Sequence, residues 1–356
     1  MNKRWFIILS GLIFLLITLS FGCEKKKNVM KINNLKSMIS FNNCLLMSAK
    51  EGYLFGESKD NVHWSGSDLL ATQQALIYRT NNKGATWVTY DLGEGYMSNS
   101  LSTNGRIYAS KICIEKGRIL DSSIVYKLNE KAKNWEVCFA TSKYIRDMLY
   151  IDEHYQLITA NDGHDRFKLF ESYNKGINWS EISSPFSIYA PIFNDKHVWY
   201  LTTEKVDDYH NILVKYDTYF KRNLIAEKLP AGFSGDIIGE YNKELYIAGS
   251  QNTSIDIYKR SLDGGYVLLF HKEAKERIFP KAFHVFGNEI LLLYGKRQNM
   301  YVENCLVKSL DGGQTWKEEY LLNSQYADPI GFYNDSSQNR LTSWIYSGFG
   351  NIQVIN

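Results

Sequence analysis

The side chains with the chemistry to bind or to react are few and scattered. Arg146, Arg166, Arg277 and Arg297 each offer the planar fork that grips a carboxylate in two places. Asp147, Asp165, Asp236 and Asp328, with Lys281, supply charges of both signs. Asp60, His63, Asp208, His210 and Lys296 add to that set. None forms a known reactive constellation. There is no His-Glu-x-x-His, no Gly-rich phosphate cradle and no Gly-x-Ser-x-Gly. The seven His are dispersed, and His154, His197 and His284 sit beside apolar runs, where a structural role is expected. Asp162-Gly163-His164-Asp165 is acidic but too short to fill a calcium shell alone. Cys44, Cys113, Cys138 and Cys305 match no metal-ligand spacing. No catalytic residue, metal or cofactor is therefore assigned.

The fifth cysteine, Cys23, has a different context. Lys3 and Arg4 open the chain, and Trp5 to Gly22 is an uncharged apolar run. Glu24 and Lys25 to Lys27 follow Cys23. A basic start, an apolar core and a small residue before a cut describe an export signal. The Cys at the cut makes the segment resemble a lipoprotein signal peptide, although Ser20 and Phe21 depart from the commonest residues there. That resemblance implies removal of residues 1–22 and lipidation of Cys23, and tethers residues 29–356 through a linker at 23–28. The competing reading is a plain membrane anchor. Either places the body of the chain in the cell envelope. Glu24 stands where inner-membrane retention signals carry Asp, which favours the outer membrane, facing periplasm or surface. Loss of Lys3 and Arg4 takes the formal charge from +3 to +1, which gives no case for nucleic acid. The compartment permits disulfides. A Cys113–Cys138 bridge is open, with buried free thiols the favoured expectation.

Stepping along the chain reveals the elements that would position these groups. Hydrophobic residues make up 44% of it, with 25 Tyr and 18 Phe and only 5 Pro; this composition suits strands. Ser309-Leu310-Asp311-Gly312-Gly313-Gln314-Thr315-Trp316 recurs as Thr80-Asn81-Asn82-Lys83-Gly84-Ala85-Thr86-Trp87 and Ser172-Tyr173-Asn174-Lys175-Gly176-Ile177-Asn178-Trp179. Ser261 to Gly265 keeps the first half, Asn134-Trp135 the end, and Lys215 to Arg222 only Asp217. The Asp or Asn caps amides of its own turn, the Gly permits positive φ, and the Trp buries a ring on the strand that leaves. Tyr96, Tyr144, Tyr189, Phe233, Phe279 and Tyr326 keep steps of 48, 45, 44, 46 and 47 residues. Four short strands per step make a propeller blade.

The octapeptide resembles the Asp-box of the sialidase-like (BNR) β-propellers. That resemblance covers nearly all of the chain after the leader. It implies that Ser309, Asp311, Gly313, Thr315, Trp316, Asn82, Gly84, Trp87, Asn174, Gly176 and Trp179 are structural, joining the third and fourth strands of a blade away from the ligand face. The expected fold is all-β, a single propeller. Seven four-stranded blades are favoured, the last closed by an N-terminal strand at Val29 to Asn33, with six the alternative. Glu57 to Leu70 reads as a long loop of the first blade.

In such a ring, ligands meet the mouth of the central channel. The starts of the inner strands place Arg146, Asp147, Asp236, Lys281 and Asp328 there, and neighbouring loops add Asp165, Arg166 and Arg297. Arg79, Arg222 and Arg260 fall near turns of the opposite face. The sialidase reaction needs three clustered Arg, a Tyr–Glu pair and an acid Asp. The nearest match to its early Arg element, Arg277-Ile278-Phe279-Pro280, comes late and interrupted. The expected function is thus non-catalytic binding of a protein or glycan, as an envelope scaffold or a toxin-immunity lipoprotein. A divergent glycoside hydrolase is the alternative.

Overall fold

The computed structural model describes residues 29–31, 38–48, 51–65, 68–82, 86–103, 105–115, 118–161, 166–182, 187–194, 196–203, 210–251, 253–298, 301–320, 328–335, 340–346 and 351–355. The leader, the linker, Cys23, Gly84 and Asp165 lie outside them, as do Asp162 to His164. Among the described residues every regular element is a strand, and no helix is long and apolar enough to cross a membrane.

The strands come in sets of four. β1 (Val29–Lys31) stands first. β2 to β5 are Met38–Leu46, Gly52–Ser65, Asp68–Thr80 and Val88–Glu94. β6 to β9 are Tyr96–Thr103, Arg106–Glu115, Arg118–Asn129 and Asn134–Thr141. β10 to β13 are Ile145–Ile151, Gln156–Asn161, Phe167–Ser172 and Ser180–Glu181. β14 to β17 are Tyr189–Asn194, His197–Thr202, Ile212–Asp217 and Arg222–Lys228. β18 to β21 are Gly235–Tyr241, Glu244–Gln251, Ser254–Arg260 and Tyr266–Glu273. β22 to β25 are Ile278–Phe286, Glu289–Gln298, Tyr301–Ser309 and Lys317–Tyr320. β26 to β28 are Asp328–Asp335, Arg340–Tyr346 and Asn351–Ile355. Each set pairs in chain order as an antiparallel meander, and β1 completes the last sheet in the order β1-β28-β27-β26.

Burial explains the arrangement. Second strands are apolar on both faces, as in β11, where Leu157, Ile158 and Ala160 are fully buried. Such a strand must be covered on both sides. The cover is the neighbouring sheet: Tyr108, Phe139, Ile145, Ile158 and Phe170 share one cluster between two sheets, and Leu157, Val198, Tyr200 and Val214 share the next. Fourth strands are largely exposed, as in β9 and β17.

First strands lie side by side and run the same way. At their starts the Tyr96 hydroxyl donates to the Tyr144 hydroxyl at 2.8 Å. At their ends Asn194 donates to Glu240 at 2.6 Å, and Tyr241 packs on Phe286 with centroids 5.3 Å apart. Contacts between first strands run β2–β6–β10–β14–β18–β22–β26 and return from β26 to β2. The molecule therefore has two poles. The entry pole carries the first-strand starts and the second-to-third turns. The exit pole carries the other two turns of each sheet. Val29 pairs with Gln353 in the middle of β28 and Lys31 with Asn351 at its start, so the chain comes into β1 from the exit-pole side.

The repeated octapeptide clasps the third-to-fourth turns. Asp311 accepts from the Ser309 hydroxyl at 2.8 Å, the Gln314 amide at 3.0 Å, and the Thr315 amide and hydroxyl at 2.9 and 2.6 Å. Those donors hold its carboxyl low, at about 2. Gly313 sits at φ 94°, where a side chain is strained. The Trp316 indole donates to the Gly313 and Leu269 carbonyls. Asn174 and Asn82 repeat the clasp, accepting from the amides of Asn178 at 2.8 Å and Thr86 at 2.9 Å, and Trp179 donates to the Gly176 carbonyl at 2.9 Å. The degenerate unit still works: Asp217 accepts from the amides of Tyr219 and Phe220.

Two expectations are corrected. Glu57 to Leu70 is mostly strand, because β3 and β4 pair continuously from Gly52 opposite Thr80 to Ser65 opposite Asp68, with one irregularity. Of the described free thiols, Cys305 is buried, but Cys113 is half-buried and Cys138 exposed. Cys138 lies on an outer strand, which has only one covered face.

Candidate functional site

One irregularity recurs where each first strand meets its second. The register slips between Phe41 and Asn43, Met97 and Asn99, Ile145 and Asp147, Tyr189 and Ile192, Gly235 and Ile237, Pro280 and Ala282, and Pro329 and Gly331. A bulge inserts a residue without a partner and re-aims its side chain. The inserted positions include Ser98, Arg146, Asp236 and Lys281, so bulging sets three of the anticipated rim residues at one level near the entry pole.

The best-formed part of this rim spans three sheets. The Arg146 guanidinium lies 4.6 Å from the centre of the Phe167 ring and 5.5 Å from that of Tyr189. Such stacking suits an Arg whose edge must stay free for hydrogen bonds. Its Nε is 3.9 Å from Asp147. Tyr189 also stacks against the His210 imidazole, with centroids 3.7 Å apart. Ala190, which follows it in the bulge, has φ 44°, a strained value for a residue with a side chain.

The titratable groups here are displaced from their ordinary behaviour. Burial pushes the Asp147 carboxyl up, against a 2.7 Å hydrogen bond from Thr159 and the nearby Arg146. Burial also raises Asp236, against a 2.9 Å hydrogen bond from Ser250 and the field of His210. Burial lowers His210, although Asp236 opposes the shift. The imidazole is therefore neutral at pH 7. Its Nδ1 and the Oδ1 of Asn211 are buried without a hydrogen-bond partner among the described residues. Shifted groups converging on orphaned polar atoms are typical of a ligand site.

The remaining candidates are placed less tightly. Lys281 is the bulged residue of β22, one sheet beyond Asp236. The Arg297 amide donates to the Arg277 carbonyl at 2.9 Å, which sets both beside the start of β22. Arg166 immediately precedes β12. Asp328 begins β26, opposite Tyr346. Arg79 and Arg260 serve the opposite end, paired with Glu51 at 2.7 Å and Glu227 at 2.5 Å.

Sequence reasoning anticipated Arg146 and Asp236 but missed their companions. Tyr189 registered only as a periodic aromatic and His210 as one loop residue among several. Their stack joins residues on either side of a hairpin, and no local pattern announces it. Thr159 and Ser250 were also missed. The available signal was their place opposite an inner-strand Asp: Thr159 pairs directly with Asp147.

A cavity of about 400 Å³ opens at the exit pole, between the ends of β14, β18 and β22. Its lining is 192–194, 238–242 and 283–285. Glu240 in its wall is already engaged by Asn194. The entry-pole rim is therefore the stronger candidate, because its polar groups await a partner.

No family model matches the chain, and no curated protein matches it. Solved structures do. The chain is similar to a component of "COPII on membranes, outer coat vertex", with TM-score 0.56 and 9% identity, over 90% of this chain and 83% of that one. It is similar at the same TM-score and identity to a chain of "The structure of the COPII coat assembled on membranes", spanning 46% of that chain. At such identities the likeness shows the fold alone. That fold is an all-β propeller of blade-like four-stranded antiparallel sheets.

Proposed function

We propose that this chain is a membrane-tethered, non-catalytic binding protein of the cell envelope. Its tether is lipidated Cys23, and its binding surface is the entry-pole rim built around Arg146, Tyr189, His210 and Asp236. The partner is a protein or a glycan. The propeller closes with seven blades. Support for closure comes from the return contact of β26 with β2 and from β1 serving as the outer strand beside β28. The Asp, Asn, Gly and Trp of the Asp-box turns act as clasps.

One observation carries the binding reading. A stacked Arg, two carboxyls driven toward neutrality and a neutral His with an unmatched ring nitrogen converge at one end of a rigid ring. Such groups offer donors and acceptors to hydroxyls or amides, and Tyr189 and Phe167 supply the flat apolar surface that sugars and side chains pack on. The Thr159 and Ser250 hydroxyls are spent on holding Asp147 and Asp236, and no Ser–His or Cys–His pair joins them among the described residues, so binding is favoured over turnover.

The test is a cross-linked partner from the envelope, or a retained oligosaccharide from a defined panel. Binding is expected to fall on Arg146→Ala and to survive Lys317→Ala on an outer strand. Binding untouched by Arg146→Ala would reject the rim. Hydrolysis of a fluorogenic sialoside above the buffer rate would make the protein an enzyme instead.

A further inference from the structure

The exposed apolar residues are not spread over the molecule. Among the described residues, every large one lies in a third-to-fourth turn or on the outer strand that follows it. Leu262 is 92% exposed, Ile177 77%, Tyr219 74%, Tyr173 65%, Phe220 63% and Leu310 60%. All six occupy tips of third-to-fourth turns, in four consecutive sheets. Leu310, Leu262 and Tyr173 hold the same variable position of the octapeptide, immediately before the Asp or Asn. Tyr173 packs against Tyr155 and donates to Glu171, but the clasp needs no side chain at Leu310 and Leu262, which are 60% and 92% exposed. Exposed Lys175 stands on one of these turns, Lys131 and Lys133 on the third-to-fourth turn of the preceding sheet, and Lys196 and Lys243 on the neighbouring hairpins of that pole, with Glu130, Glu153 and Asp263 among them.

The amino-terminal chain arrives at this same pole. Val29 pairs with Gln353 midway along β28, and β1 runs antiparallel to it, so the preceding chain comes from the side where the other sheets carry their third-to-fourth turns. Cys23 precedes Val29 by so few residues that a fully extended linker reaches roughly 20 Å. Lys25 to Lys27 lie within that linker.

We propose that the exit pole is a membrane-docking face, on which the apolar turn tips enter the headgroup layer of the bilayer that holds the tether. The occupant is a lipid surface with anionic headgroups. Aromatic and aliphatic tips with Lys standing between them are the chemistry of an interfacial contact. The short linker brings that face to the bilayer and turns the entry-pole rim away from it, toward soluble partners. The inference rests on the lipidation of Cys23 for its tether, while the apolar face stands on its own geometry.

The experiment uses the full chain reconstituted in vesicles of phosphatidylethanolamine and phosphatidylglycerol. A fluorophore is placed by Leu262→Cys at the exit pole, or by Lys275→Cys on the loop before β22 at the entry pole. Both are made in a Cys138→Ser background, with the unsubstituted background as blank. Lipids brominated near the headgroup should quench the label at position 262 and leave that at 275 bright. Replacing both Phe220 and Leu310 by Ser, exposed sites that leave the core untouched, should restore emission at 262. Equal quenching at both positions, or stronger quenching at 275, would overturn the proposal. So would 262-to-262 cross-linking between copies in the vesicle, which would make the face a self-interface. The mass of the amino-terminal peptide reports acylation separately. An acylated chain with no quenching at 262 refutes the docking face and keeps the tether; quenching without acylation does the reverse.

Discussion

The Trp that ends each octapeptide provides a graded test of the clasp. The Trp316 indole donates to two carbonyls, Gly313 at 3.0 Å and Leu269 at 2.9 Å, and packs at a tilt on Phe270 with centroids 4.9 Å apart. The Trp135 indole packs edge-on against Tyr53 and Phe55, but its buried Nε1 has no hydrogen-bond partner among the described residues. Trp→Phe keeps much of the ring and removes the N–H. At Trp316 that loses a shared hydrogen bond and leaves carbonyls unmatched, which costs about 1–3 kcal/mol. At Trp135 only a little apolar area is lost, and an unsatisfied donor disappears, so the net change is under about 1 kcal/mol. Trp316→Ala removes the ring as well and costs roughly 3–5 kcal/mol. The unfolding entropy of a chain this size is on the order of 0.7 kcal/mol per degree. Thermal denaturation followed by near-ultraviolet circular dichroism should therefore show midpoints about 3 °C lower for Trp316→Phe and about 5 °C lower for Trp316→Ala. Trp135→Phe should shift by about 1 °C or less. Equal losses for the two Phe variants would refute the claim that the indole N–H secures the turn.

Three further outcomes follow from the same geometry. Asp311 has its folded pKa depressed to about 2 by the hydroxyls and amides it accepts, so its stabilisation is present above the unfolded value and is lost as pH falls. Asp311→Asn should therefore flatten the decline in melting temperature between about pH 4 and about pH 2; an unchanged slope would remove this carboxylate from acid unfolding. Asp236 shows the opposite sign: burial raises its carboxyl, so the ionised form costs stability at neutral pH. Asp236→Asn should raise the midpoint at pH 7 while weakening partner binding, and the gain should shrink as the pH falls toward the ordinary carboxylate range of about 4. At Gly249 a Cβ would sit 1.9 Å from the Ser234 carbonyl and 2.7 Å from the Phe233 ring. Gly249→Ala should cost more than about 3 kcal/mol or abolish soluble expression, and a variant melting within a degree of the parent would contradict the close approach.

The fold was legible because its signal is chemical and local. Asp311 with Thr315, Asn174 with Asn178 and Asn82 with Thr86 are four residues apart, so one turn contains its own explanation. Even the eroded unit could be placed from Asp217. The rim was legible only in part. Periodicity located the first-strand starts, and with them Arg146, Asp147 and Asp236. The bulges were not legible, because a bulge is a mismatch between two strands and belongs to neither sequence alone. The Tyr189–His210 stack and the Thr159 and Ser250 hydroxyls were hidden for the same reason. Glu57 to Leu70 misled in the other direction: its polar residues read as loop, yet β3 and β4 hold one another through backbone hydrogen bonds that do not depend on side-chain type.

The pairing of β1 with β28 has a consequence for how the molecule assembles. Among the described residues the earliest strand pairs with the latest, so the last sheet stays incomplete until β28 is made. Intermediate sheets can zip up in succession as they emerge, each covering its predecessor. The final seam joins segments separated by nearly the entire length, and such distant contacts form slowly. Removal of residues 351–355 would thus leave β1 without its neighbour, and the damage would appear at Val29 to Lys31, far away in the chain.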